Sequence, residues 1–415
     1  MALLRRTIAH TVSASLCLKA ATTVRTEQRS FTNSFVTGMP KGKFPVGVTT
    51  VQFDDHSRAD PDGGPRSLQT EIWYPAQDEA WSQPRNLYSE FLGRGAIPGS
   101  IKAAEASDAI GGYRSGLTIA ELDSTWPNEA VRDARVRDPN LSSDAPWPVV
   151  IFSHGSGAFR GSYIYFTEFL ASQGFVVVAC DHPGSARYTQ VNGRVVTPGG
   201  PRSAREQMEE DRPKDLLFLL DAMDRLARGA DSRFANRIDT SRCALTGMSF
   251  GGWSAAQALE KQDPRVKAAI MQCPSFKSGG GRLPGERRNR QTPAMIMIGA
   301  EDTVIGEQGN SWAREYAALH EGPSYLVEIK LGGHVSFTSC ELYNKDYGNG
   351  IGQSKSLTKP GTTYQPLPIN EQHSIINGYA LAFLDRFLRG DKGKDDYLNK
   401  NQFGEHIHYI PRSAL

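Results

Sequence analysis

From Trp147 onward the chain repeats one unit: a short apolar run rich in branched side chains, then a helix-forming stretch. The apolar runs are "PVVIFS", "FVVVAC", "CALTG", "AAIMQC", "AMIMIG" and "YLVEIK". Strands with one wet face alternate apolar and polar residues. These are apolar almost throughout, as parallel strands covered on both faces are. Helix-forming stretches separate them over 161–173, 204–228, 251–262 and 311–320, and "EQHSIINGYALAFLDRFL" repeats its apolar residues at helical spacing up to Gly390. The alternation predicts a doubly wound, mostly parallel sheet with helices on both faces. Ligands of such a sheet sit at the carboxyl ends of its strands.

Upstream, "FPVGVTTVQFDD" and "SLQTEIWYPA" flank the turn-rich "HSRADPDGGPR" and predict a hairpin at the edge of that sheet. Residues 85–146 are polar and interrupted by Pro and Gly, which reads as a helical insertion or cap without a core of its own. The domain is therefore expected over 44–395, with 396–415 as a C-terminal tail. The apolar "DLLFLLDAM" reads better as a helix face buried against the sheet than as a lipid-binding stripe.

Residues 1–35 differ from the rest. No acid occurs before Glu27, while Arg5, Arg6, Lys19 and Arg25 lie among many Ala, Ser and Thr, the composition of a mitochondrial transit peptide. A secretory signal, or an unprocessed tail on a cytoplasmic protein, is the competing reading. The "NLS" sequon at Asn140 has meaning only in a secreted chain. Lys and Arg number 47 against 45 Asp and Glu, so no global field points to a nucleic-acid partner. Five scattered cysteines without a CxxC spacing argue against a disulfide framework or a zinc site, and Cys180, Cys243 and Cys273 fall in apolar runs as small core residues. No run of 18 apolar residues exists to make a spanning helix.

Chemistry enters at "GMSFGG". Ser249 lies between Gly247 and Gly251, after the strand run "CALTG" and before a helix-forming stretch. A serine on a sharp strand-to-helix turn is presented as a nucleophile, and flanking glycines let strand, helix and substrate approach closely. A serine hydroxyl needs a base to take its proton. His334, in "LGGHVSF", follows the strand "YLVEIK"; His10, His56, His320 and His373 are less well placed, and the His406/His408 pair reads as part of a solvated tail. Asp302, in "IGAEDTVI", is the carboxylate expected to orient that imidazole, with Glu301 and Asp181 as alternatives and a helix cap as its structural role. The order Ser249, Asp302, His334 is that of the α/β-hydrolases. The oxyanion donors are expected from the backbone N–H groups of Phe250 and of Ser156, in "SHGSGAF". No metal or cofactor is expected.

The stretch "VIFSHGSGAFRGSYIYFTEFLASQGFVVVACDH" resembles the plasma and type II platelet-activating-factor acetylhydrolases and their dienelactone-hydrolase-like relatives, a likeness that runs over about residues 145–390. That resemblance implies a serine esterase removing short or oxidised sn-2 acyl chains from phospholipids, with Ser249, Asp302 and His334 as its triad and the amides of Ser156 and Phe250 as its oxyanion hole. The chain departs from the family at Met248, where histidine is usual, and at Ser156, where leucine is usual. Both departures put acyl preference in question. A broad carboxylesterase or polyester hydrolase is the alternative enzyme, and a non-catalytic ligand-binding protein on a hydrolase fold is the alternative of another class. "FKSGGGRLPGERRNRQ", residues 276–291, reads as a solvated loop, as a mobile lid or as a patch for phosphate head groups, the last of which would bring peripheral membrane contact.

Overall fold

The computed structural model describes residues 42–61, 63–93, 119–125, 128–139, 146–192, 194–276, 291–342 and 344–412. The leader, Cys17, the sequon at Asn140 and the basic residues of 277–290 lie outside them.

Every apolar run forms a strand. In chain order the strands are β1 (Val46–Ala59), β2 (Pro65–Pro75), β3 (Ala130–Arg132), β4 (Trp147–Ser153), β5 (Val176–Cys180), β6 (Thr189–Val191), β7 (Arg194–Val196), β8 (Ile238–Met248), β9 (Val266–Gln272), β10 (Ala294–Gly299), β11 (Ser324–Ile329), β12 (Ser354–Lys355), β13 (Thr363–Tyr364) and β14 (Ile407–Arg412). Ten of them make one sheet in the order β14-β11-β10-β9-β8-β4-β5-β2-β1-β3, while β6–β7 and β12–β13 are separate two-stranded ribbons. The pairs from β5 through β11 are parallel. The β1–β2 hairpin joins β5 antiparallel.

Five longer helices cover this sheet: α1 (Ile164–Ser172), α2 (Arg205–Arg225), α3 (Phe250–Leu259), α4 (Gly306–Leu319) and α5 (Ile369–Leu388). Side chains alternate along a strand, so one strand feeds two cores. Val150 and Phe152 of β4 share a cluster with Phe166 and Leu170 of α1 and with Ile376 and Phe383 of α5. Val149 and Ile151 join Leu216, Leu219 and Leu220 of α2 on the other side. A third cluster gathers Ile296 and Ile298 of β10 with Trp253 of α3 and Tyr316 of α4. Leu216, Leu219, Leu220, Ala222 and Met223 of "DLLFLLDAM" are thus buried against the sheet, with Leu217 and Phe218 half-buried beside them. This is the α/β-hydrolase fold, doubly wound and mostly parallel.

The strand order changes direction at β4, which has β5 on one side and β8 on the other. Chain leaving β4 and chain leaving β8 therefore diverge over a crevice at the carboxyl edge.

The sheet extends further than the sequence suggests at both ends. The β1–β2 hairpin is not the edge, because residues 130–132 of the expected insertion pair parallel with β1. Tyr88, Phe91 and Leu92 of the same segment are buried in the main core. The last residues are not a solvated tail either: β14 pairs antiparallel with β11 over six residues and buries Ile407. Short edge strands carry weak local signals, and pairing decided them. No described helix is long and apolar enough to cross a membrane.

Ending the chain at Glu405 removes β14 and uncovers the edge of β11. Stability should fall by about 2–4 kcal/mol, mainly from the loss of buried Ile407 and half-buried Tyr409. An unchanged denaturation midpoint would show that β14 contributes nothing.

Candidate active site

Ser249 stands between β8 and α3 with φ 57 and ψ −118, a backbone conformation a serine adopts only when its surroundings impose it. Three hydrogen bonds impose it here. Its N–H donates to the Gln272 carbonyl at the end of β9 at 2.8 Å, and its carbonyl accepts from Trp253 at 3.1 Å and from Ser275 at 3.0 Å. The glycines matter by their size. A Cβ on Gly247 would lie 2.5 Å from the Gly251 backbone, and one on Gly251 would overlap the Ser153 carbonyl of β4. The turn therefore packs directly onto the end of the neighbouring strand.

Asp302 and His334 come from loops two and three strands away. The Asp302 carboxylate is fully buried and divides its oxygens between two tasks. Oδ1 accepts from the N–H groups of Val304 (2.9 Å) and Ile305 (3.1 Å), the capping role, and Oδ2 meets His334 Nδ1 at 2.6 Å. Asn349 ties the two loops together: its Oδ1 accepts from His334 N at 3.0 Å and Thr303 N at 3.3 Å. No local pattern in the sequence singled out Asn349. Its partners are 15 and 46 residues away.

Cys273, expected as a plain core residue, lies beside this pair. Its Sγ, a carboxylate oxygen of Asp302 and a ring nitrogen of His334 fall within 4.8 Å of one another. Burial, and then the neighbouring Asp302 charge, push the thiol well above its ordinary value, so it stays protonated. A metal held between Nδ1 and Oδ2 would need about 2 Å to each ligand, more room than a 2.6 Å hydrogen bond leaves. Because the segment carrying Cys273 also bonds the Ser249 backbone, the ends of β8, β9, β10 and β11 converge on one place.

The alternative acids are engaged elsewhere. Glu301 accepts from Ser356, Leu357 and Thr358 and so holds the β12–β13 ribbon. Asp181 binds Arg160, accepting from its backbone N–H at 2.7 Å and from Nη1.

That Arg160 belongs to "GSGAFR" and anchors the loop after β4. It is buried, and besides Asp181 it reaches Glu71 Oε2 at 3.1 Å and the Phe91 carbonyl. Within the loop, Gly157 holds φ +68 and its N–H meets Ser185, while Gly155 donates to Tyr163 Oη at 2.9 Å. A Cβ on Gly155 would stand 3.4 Å from the Ser249 Cβ, so the loop lies against the serine turn. Ser156 is exposed, and neither its N–H nor that of Phe250, the first residue of α3, has a hydrogen-bond acceptor among the described residues. Met248 is buried beneath the loop with Sδ 3.8 Å from Tyr163 Oη.

Behind the His334 loop lies a carboxyl without hydrogen-bond partners among the described residues. Glu341 is buried, and His373 Nδ1 stands 3.7 Å from its Oε1. Burial pushes its carboxyl up to about 8 and pulls the His373 imidazole down to about 3.

A family model described as PET hydrolase-like matches residues 135–350, and one described as platelet-activating factor acetylhydrolase, isoform II, matches residues 31–197. The chain is 26% identical over 303 residues to a platelet-activating factor acetylhydrolase of Cavia porcellus, a match covering 66% of this chain and 65% of the relative. It is 24% identical over 315 residues to a probable 1-alkyl-2-acetylglycerophosphocholine esterase of Arthroderma benhamiae, covering 73% and 75%. It is 25% identical over 249 residues to cutinase 1 of Thermobifida cellulosilytica, covering 60% and 71%. The matches to the acetylhydrolases span less than two thirds of those proteins. A ferulic acid esterase from Streptomyces cinnamoneus shares the fold, with a TM-score of 0.64 at 22% identity over 90% of this chain and 98% of that one.

Gly251→Ala should cost several-fold more activity than stability loss alone explains, because the added methyl drives the serine turn off Ser153; equal activity per folded molecule would contradict the close approach. For Glu341 the folded carboxyl holds its proton up to about pH 8, while the unfolded one releases it near 4.5. Native stability is therefore lost as pH rises between those values. Glu341→Gln should match wild type near pH 4, gain relative stability up to about pH 8 and then level off, read as the difference in Tm.

Proposed function

Because the chain belongs to the PET hydrolase-like family, we propose that it is a serine carboxylic-ester hydrolase working through an acyl-enzyme. The observation that carries this is the 2.6 Å Asp302–His334 pair at the carboxyl edge of the same sheet that holds Ser249 in strained geometry. In this reading His334 takes the proton of Ser249 as Oγ attacks the ester carbonyl, and Asp302 holds the ring so that Nδ1 donates to it and Nε2 is left as the base. The carbonyl oxygen becomes an oxyanion, accepting from the N–H groups of Phe250 and Ser156. Collapse expels the alcohol, which receives the proton from His334. Water then enters by the same route and releases the acid, restoring Ser249.

The first substrate class is a phospholipid with a short or oxidised sn-2 acyl chain. The acetylhydrolase relatives and the unbroken "GSGAFR" loop support it. Such a substrate would bring the protein to a lipid surface as a peripheral visitor. The cutinase and terephthalate-ester hydrolase relatives support a second reading, a broad esterase or polyester hydrolase. The leader, without an acid before Glu27, supports a mitochondrial destination.

A fluorophosphonate should label wild type and leave Ser249→Ala unlabelled, with kcat/KM of the variant down by about 10⁴–10⁶-fold. Full activity of Ser249→Ala would end the proposal. An acyl series from acetyl to long chain, on soluble and micellar esters, decides between the substrates: a steep preference for acetyl phospholipid favours the first, a flat profile the second.

A further inference from the structure

Two oxyanion donors from different loops must be held at one separation, and a single side chain touches both loops. Arg212 of α2 is fully buried. Its Nη2 donates to the His154 carbonyl and, at 3.0 Å, to Ser153 Oγ; Nη1 donates to Ser185 Oγ at 2.8 Å. The same guanidinium stacks on the Phe250 ring, 4.5 Å from its centroid, and Arg205 stacks there at 4.5 Å as well. Gly157 N–H bonds the Ser185 carbonyl, so Ser185 relays Arg212 to the far side of the oxyanion loop too.

Arg212 is itself anchored by a buried chain. Ser153 Oγ lies 2.9 Å from His182 Nε2, and His182 Nδ1 lies 2.8 Å from Asp215 Oδ2. Asp215 receives two 2.7 Å hydrogen bonds from Arg66 and pairs with Arg58 at 2.8 Å. Each link has one polarity. With Asp215 ionised against two arginines, His182 donates at Nδ1 and accepts at Nε2 from the Ser153 hydroxyl, whose oxygen accepts from Arg212. These are the residue types of a catalytic triad, sealed inside the fold with no exposed atom. Burial and the Arg212 charge keep His182 neutral, pulling it to about 3. Asp215 is already shared by Arg66 and Arg58, and no ion pair among the described residues includes Arg212. Its charge is therefore held without a direct ion-pair partner, against the His154 carbonyl and the Phe250 ring.

We propose that Arg212 is the positioning residue of the oxyanion hole, setting the His154–Ser156 backbone against the Phe250 turn and lending its charge to the developing oxyanion. The inference rests on the acyl-transfer reading of Ser249. It predicts a loss felt in the transition state and not in ground-state binding. Active sites are counted with a fluorophosphonate, and wild type that fails to label overturns the acyl-transfer reading itself. Per labelled site, Arg212→Met should lower kcat about 10–100-fold with KM within about twofold. A trifluoromethyl ketone, bound as a charged tetrahedral adduct, should weaken by the same factor, while the matching methyl ketone binds as before. Arg212→Lys, which keeps the charge and loses the planar fork, should recover part of kcat. Phe250→Leu keeps the amide but removes the stacked ring, so it should reproduce the signature and carries the test if Arg212→Met does not fold. A role in stability alone lowers Tm and the number of labelled sites, leaving kcat per site and both ketone affinities unchanged, and that result overturns the proposal.

Discussion

The backbone of Ser249 is the constraint on which the rest of the site depends. A serine at φ 57 and ψ −118 costs on the order of 1–3 kcal/mol and persists only where its neighbours leave no alternative. The neighbours here are the ends of β4 and β9: Gly251 is pressed onto the Ser153 carbonyl, and Gln272 and Ser275 grip the serine amide and carbonyl. Adjacent parallel strands deliver these groups side by side. The sheet is thus the device that turns a high-energy turn into a fixed one, and Asp302 and His334 arrive at the ends of the next two strands.

The loop after β4 is fixed by buried charge as well as by the packing of Ala158 and Phe159 into the core. Arg160 binds Asp181 and Glu71 on one flank, and the Arg212 chain runs through Ser153, His182 and Asp215 on the other. Burying ions is costly unless every one is paired or hydrogen-bonded, and removing a single partner strands the rest. Such a network tolerates few alternative arrangements. In the acyl-transfer reading, that suits a loop whose amides point at one spot before substrate arrives.

The two positions where the chain departs from the acetylhydrolases play different parts. Met248 is buried under the loop after β4, against Tyr163, and so helps to seat that loop. Ser156 is exposed on that loop, with a smaller side chain than the leucine usual there.

The sequence alone determined the strands and helices of the central sheet and put forward Ser249, Asp302 and His334 as a candidate triad, because each rests on a local pattern: a buried strand reads as an unbroken apolar run, and a serine turn between strand and helix carries its glycines within two residues. It also marked the loop of Ser156. Tertiary structure alone decided what depends on partners far along the chain. Residues 130–132 and 407–412 are strands because β1 and β11 offer open edges, and short segments take their conformation from such pairing. Asn349, Cys273 and Arg212 look unremarkable in the sequence, being an asparagine before a glycine, a cysteine in an apolar run and an arginine in a charged helix. Each matters only through atoms that the fold brings next to it, and no spacing of residues along one chain encodes that nearness.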